Sequence, residues 1–325
     1  MRILVMTRFY RNGQTTHVLD LCVELLQLGH RVLLAIADLN DVVYLQWIKL
    51  EGIPHLLTAN PDRLYRRLSK WQPDIIHNHS AHTLPTAIQL GRQLHIPTVS
   101  TVHYLDFAPR ELLEEQQAVI LISREMQARF ADLRVPTFLV ENGVRLGRLK
   151  PSSKRWRQLA LILAQVTPDK RDNFLQLSQS LLNWGWDVLS AGNWQYPGVK
   201  YLGWTHEVTP LLKQANLVVG TGRAIREGMA AGCAAFVLGA YCDGLVVPEN
   251  VWALQETNFS GRTSKKPFSP SIAERTLAQP EPELFQALGR FGRRYALQHF
   301  SSRKMALAVQ EIYRFAGAPR ANLKR

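Results

Sequence analysis

Two stretches of this chain carry polar residues at spacings that suit chemistry. Asp74-Ile75-Ile76-His77-Asn78-His79 and Thr101-Val102-His103-Tyr104 each set histidine at or just beyond the end of a short apolar run. That is the pattern of a buried strand whose carboxyl end delivers a binding group. His77 and His79 alternate as metal ligands can, yet no carboxylate or cysteine completes a ligand set, so no metal is expected. Upstream, Asn12-Gly13 lies between the first apolar run and a helical pattern that includes His17. Such a turn brings backbone N–H groups to an anion at the positive end of a helix.

Further candidate residues lie beyond residue 150. The apolar run Leu159–Ala164 leads into Gln165-Val166-Thr167-Pro168-Asp169-Lys170. A compact ammonium at that place can neutralise charge on a departing phosphate. Further on, Asn216–Gly220 runs through Thr221-Gly222 into Arg223-Ala224-Ile225-Arg226-Glu227-Gly228-Met229. This reads as a strand, a glycine turn and a short helix whose N-terminus faces a ligand. Glu227, one turn in, can accept hydrogen bonds from a ribose diol. A lone acid among small apolar residues is costly when buried, which argues for a ligand role.

These residues need a frame, and the rest of the pattern supplies one. Apolar runs near 31–36, 75–76, 98–102, 119–122 and 138–140 alternate with helical segments, among them 82–93 and 124–132. A second series follows near 159–163, 187–190, 199–202, 216–219 and 234–238. Strand-helix alternation implies parallel α/β layers. Between the series, Arg145–Arg157 is basic, contains Pro151 and lacks apolar periodicity, as an exposed linker does. The expected domains are 1–150, 151–300 and a C-terminal helix and tail at 301–325, for which a return to the first domain is open. Residues 256–272 read as a long loop. Two amphipathic helices close the chain, one striped by Leu284, Leu288, Phe291 and Tyr295, the other by Met305, Val309, Ile312 and Ala316.

Composition excludes several classes. With 325 residues, 46% of them apolar, the chain is neither disordered nor a small disulfide scaffold. Cys22, Cys233 and Cys242 are odd in number, apolar in context and without CxxC spacing, so they read as buried thiols. The apolar run Met229–Tyr241 is shorter than the roughly 20 residues a membrane span needs. Residues 2–8 lack the marks of a secretory signal, and a cytoplasmic protein is expected. GxGxxG is absent from the first turn and GxxxxGK[ST] from the whole chain, which argues against dinucleotide oxidoreductases and P-loop NTPases. The net charge of +13 is uneven, +3 over 1–150 and +10 over 151–325. Such an excess favours polyanionic partners, though no nucleic-acid motif or aromatic-basic interleaving occurs.

Taken in order, Asn12-Gly13 with His17, Gly29-His30, Asp74–His79, Thr101–His103, Asn142-Gly143-Val144, Pro168-Asp169-Lys170 and Arg223–Gly232 resemble a family-four retaining glycosyltransferase of the GT-B fold. The resemblance implies two Rossmann-like parallel-sheet domains facing across a cleft. It implies a nucleotide-sugar donor, most commonly UDP-linked, as co-substrate, with neither cofactor nor metal. Glu227 would hold the ribose, Lys170 the diphosphate, and Gly203 and Trp204 would lie near the base, with Gly222 and Arg223 beside them. Gly13 would help hold the phosphates and His103 would stand at the reacting sugar. His17, His77 and His79 fall on the acceptor side. Lys170, Glu227 and His103 are the expected catalytic set, and the acceptor is an envelope, lipid-linked or polysaccharide glycan.

Two positions depart from the family pattern. A second glutamate usually stands where this chain has Val219, and an arginine where it has Gln165. The competing reading is therefore a catalytically weak homologue that binds a nucleotide sugar or a partner enzyme. Finally, Arg63, Arg66, Arg67 and Lys70 share one helical face, with Leu64, Leu68 and Trp71 on another. That face suits an anionic membrane surface, or else an ordinary helix covering a sheet.

Overall fold

The computed structural model describes residues 1–151 and 156–318. They form two compact units, one made of Met1–Asn142 with the segment that begins at Ser302, the other of Gly143–Ser301. Parts of the expected linker and tail fall on residues 152–155 and 319–325, outside the described residues. Val144 and Leu149, on the N-terminal side of the expected boundary, are core residues of the second unit. Val144 N–H also donates to Phe300 O at 2.8 Å.

The first unit has seven strands: β1 (Arg2–Phe9), β2 (Arg31–Leu39), β3 (His55–Leu57), β4 (Ile75–Asn78), β5 (Thr98–Val102), β6 (Ala118–Leu121) and β7 (Thr137–Leu139). All pairings are parallel, in the order β3-β2-β1-β4-β5-β6-β7. The order reverses between β1 and β4, the switch point beyond which open sheets bind ligands. Helices cover both faces, so successive β1 residues serve different cores. Ile3 and Val5 pack with Val18, Leu21, Cys22 and Leu25 of the helix Gly13–Gln27. Leu4 and Met6 pack with Leu64 and Leu68 of the helix Pro61–Trp71, and with Ala87 and Leu90 of the helix Leu84–Leu94.

The C-terminal helix Ser302–Gly317 belongs to the first of these cores through Met305, Val309, Ile312 and Tyr313. Ser302 Oγ donates to Glu24 Oε1 at 2.6 Å, tying the start of this helix to the helix Gly13–Gln27. The preceding helix, Pro282–His299, buries Phe285, Leu288, Gly292 and Tyr295 in the second unit. Leu284, expected in that stripe, is 39% exposed, because Phe285 takes the inward position of the first turn.

The second unit contains β8 (Leu159–Ala164), β9 (Asp187–Gly192), β10 (Lys200–Tyr201), β11 (Leu217–Gly220), β12 (Ala234–Leu238) and β13 (Cys242–Leu245), in the order β10-β9-β8-β11-β12-β13. The first five are parallel, but β13 runs antiparallel to β12. The chain turns back through Gly239–Tyr241, with Gly239 N–H donating to Tyr241 O at 2.8 Å, too short a connection for a parallel crossover. The short helix Arg223–Ala230 presses on β11 at Gly228, where a Cβ would lie 2.9–3.2 Å from the Val218 side chain. Only glycine lets the backbones come this close. The loop expected to reach residue 272 ends earlier, at the helix Pro270–Leu277.

Candidate functional site

At the carboxyl end of the first sheet, four histidine rings gather from three elements. His77 lies within β4, His79 just past it, His103 just past β5, and His17 in the helix that follows β1. That helix is capped by Asn12, whose Oδ1 accepts from Thr15 N–H at 3.1 Å and whose Nδ2 donates to Tyr104 Oη at 3.0 Å. Gly13 sits exposed at its first position. Gln14 Nε2 donates to the His79 carbonyl at 2.5 Å, which fixes the loop after β4.

The four rings are not equivalent. His77 is wholly buried, its Nδ1 2.6 Å from Tyr313 Oη and its Nε2 2.8 Å from Thr101 Oγ1. Both nitrogens are therefore used inside the core, and His77 does not serve as an acceptor-side group. Burial, aided by the nearby His17 ring, lowers its pKa to about 3. His17 and His79 are buried as well, so neither offers a surface to a bulky acceptor in this conformation. His103 is the partly exposed member, with its Nε2 3.1 Å from His79 Nδ1. Burial first, then the neighbouring rings, holds His79 and His103 well below the usual histidine value. Both rings are neutral near pH 7.

In the second unit, register aligns Gly220 with Leu163 and Val237, and Ala164 with Gly192. The segments leading away from these residues leave the sheet on the same side. Lys170 follows β8 and its Nζ donates a long 3.3 Å hydrogen bond to Gln165 O. Its pKa is lowered by burial, with Asp169 raising it and the Arg262 guanidinium lowering it. Arg262 was not apparent from the sequence pattern, because a loop distant along the chain delivers it. That loop is fixed where Gly222 N–H donates to Phe259 O at 2.8 Å and where Gly261 packs on Gly239.

Glu227 is not the lone acid the sequence suggested. Arg223 Nε donates to Glu227 Oε1 at 2.7 Å, since positions four apart share a helix face. Arg223 Nη1 also reaches Gly143 O at 3.4 Å. Gly222, at φ 55°, starts the helix. Gly203, at φ 72°, accepts from Gly192 N–H at 2.8 Å and so brings Trp204 to the end of β9. Val219 is a fully buried strand residue facing the core around Phe174 and Phe236. Sequence reasoning also missed Arg226, which is wholly buried, donates to Asn258 Oδ1 and lies 5.0 and 5.1 Å from the Phe259 and Phe300 ring centres. An arginine inside an apolar helix was the available signal.

A strand-end cation, a glycine turn and a short helix bearing a carboxylate are the parts of a nucleotide-diphosphate site. Comparison with known proteins bears on the fold. The structure is similar to HepE from Anabaena in complex with UDP and glucose (TM-score 0.73, 15% identity, 96% of this chain and 99% of that one). It is also similar to sucrose-phosphate synthase from Thermosynechococcus elongatus (TM-score 0.70, 16% identity, 98% and 100%). A glycosyltransferase from Rickettsia africae gives TM-score 0.69 at 14% identity, over 97% and 98%. No curated protein sequence matches significantly. The fold is thus GT-B. Residues 11–148 match the model of Glycosyltransferase Family 4.

Proposed function

We propose that the chain moves a sugar from a UDP-sugar to an envelope, lipid-linked or polysaccharide acceptor with retention of configuration and without a metal ion. The observation that supports this reading is that β8 and β11 are paired in register, so the segments that follow them, carrying Lys170 on one and Gly222 and Glu227 on the other, leave the same end of the second sheet. Lys170, with Arg262 beside it, neutralises the diphosphate as the glycosidic bond breaks. Glu227, oriented by Arg223, accepts from the ribose hydroxyls. Gly203 and Trp204 flank the base. HepE, solved with UDP and glucose, supports the choice of donor.

The same reading includes a cytoplasmic protein that touches an anionic membrane face through Arg63, Arg66, Arg67 and Lys70, all exposed. Among the described residues no helix is long and apolar enough to cross a membrane. The weak-homologue reading draws on Val219, a core residue, and on Gln165. Measuring UDP release across a panel of UDP-sugars, and the anomeric configuration of the product by NMR, decides between the two. Turnover that falls about 10²- to 10³-fold in Lys170→Ala supports transfer. Binding of UDP with no turnover of any donor supports the weak homologue.

A further inference from the structure

His17, His79 and His103 belong to three different elements, yet one ring nitrogen of each lies within 4.8 Å of the other two. One pair, His79 Nδ1 and His103 Nε2, is 3.1 Å apart. Tetrahedral zinc, with Zn–N of about 2.0–2.1 Å, separates its nitrogens by roughly 3.3 Å. That pair already stands at ligand spacing, and His17 closes on it with a side-chain shift of roughly 1.5 Å.

His79 is 1% exposed, so the pair lies inside the protein and is not a chance surface grouping of histidines. His77, whose ring centre is 4.0 Å from that of His79, is held by Tyr313 and Thr101 and backs the cluster without joining it. His103 is partly exposed, which leaves a path for entry and room for a water as a further ligand.

We propose that His17, His79 and His103 form a binding site for one divalent transition-metal ion, of which zinc is the representative. A donor set of imidazole nitrogens alone selects zinc, cobalt, nickel or copper over magnesium and calcium, which prefer oxygen. The site stands whether or not the transfer reaction proposed above is correct, because binding needs no sugar donor.

Equilibrium dialysis of the full chain, free of any affinity tag, against Zn²⁺ alone tests the site. One ion per chain is expected, with a matching rise in the unfolding midpoint that a chelator reverses. His103→Ala and His17→Gln should each bind at least about tenfold more weakly, since losing even an outer partner of a ligand costs about 10- to 100-fold. His82→Ala, an exposed histidine after β4, should bind as the native chain does. Cobalt in place of zinc should give the visible spectrum of a tetrahedral nitrogen site. No stoichiometric binding by the native chain overturns the proposal, whatever the variants do. So does undiminished binding by a folded His103→Ala, or equal loss in His82→Ala.

Discussion

Arg223 and Glu227, one helical turn apart, form an ion pair of 2.7 Å whose side chains are only 17% and 12% exposed. A carboxylate has about four acceptor positions, so this pairing orients Glu227 without exhausting it. The same bond explains how an acid is tolerated on a helix that otherwise buries Ala224, Ile225, Gly228 and Met229. It also separates two effects that a mutation could confuse.

Glu227→Gln removes the charge and keeps the shape, so it should weaken UDP binding by roughly 10- to 150-fold, the loss of a hydrogen bond to a charged group worth about 1.5–3 kcal/mol. Arg223→Ala should instead lower the stability of the second unit by about 1–3 kcal/mol, because it leaves a mostly buried carboxylate without this partner. Calorimetric titration with UDP, run beside denaturant unfolding, reads both. If Glu227→Gln binds UDP as tightly as the native chain, the ribose contact is wrong.

Lys170 gives a pH dependence whose sign follows from its surroundings. Burial, assisted by Arg262, lowers its pKa from the ordinary lysine value, so it loses its charge at a lower pH than an exposed lysine does. Donor kcat/KM should therefore decline on the alkaline side before ordinary lysines titrate. Lys170→Arg, which stays charged, should move that decline to higher pH or abolish it. A pH–rate profile with the same limb in both proteins would assign the titration to another group.

The two parallel sheets were legible because both are wrapped by helices, and their strands read as continuous apolar runs. β3, with three half-buried or exposed residues, gives no such run. β13 was hidden because Cys242–Leu245 includes Asp243 and Gly244, poor strand formers held there only by pairing with β12. Strand-end residues such as His79, His103 and Lys170 could be placed from their position after apolar runs. Their partners could not. Arg262 reaches Lys170, and Tyr313 reaches His77, from segments distant in sequence, and only the folded chain brings them there. Nor does spacing distinguish His77, spent inside the core, from His79 two residues later.

Tyr313 makes the C-terminal helix part of the first unit's chemistry. Its hydroxyl lies 2.6 Å from His77 Nδ1, and burial pushes its pKa well above the ordinary tyrosine value. Tyr313→Phe keeps the ring and strips His77 of one partner in a site without water access, which should cost about 1–3 kcal/mol. For a unit of this size that lowers the unfolding midpoint by about 2–4 °C per kcal/mol. Truncation before Ser302 should cost far more, since Met305, Val309 and Ile312 leave the core with it. A thermal midpoint unchanged in Tyr313→Phe would show that the hydroxyl contributes no net stability.

The basic helix Pro61–Trp71 directs Leu64 and Leu68 into the core under β1, which leaves its cations and the 40% exposed Tyr65 for any outside surface. The lipid contact proposed for this helix would therefore be electrostatic and not an insertion of its apolar face. Each cation near an anionic bilayer is worth about 1 kcal/mol, and the attraction falls off over a Debye length of about 8 Å at physiological salt. Sedimentation with phosphatidylserine-containing vesicles should pellet the chain at low salt and release it as salt rises, while neutral vesicles should not pellet it. Reversing two of the charges, Arg66→Glu with Arg67→Glu, should abolish pelleting and leave UDP binding intact, because the helix belongs to the first unit and the residues proposed to hold the nucleotide to the second. Pelleting that survives the double reversal, or that ignores salt, places the lipid contact elsewhere on the molecule.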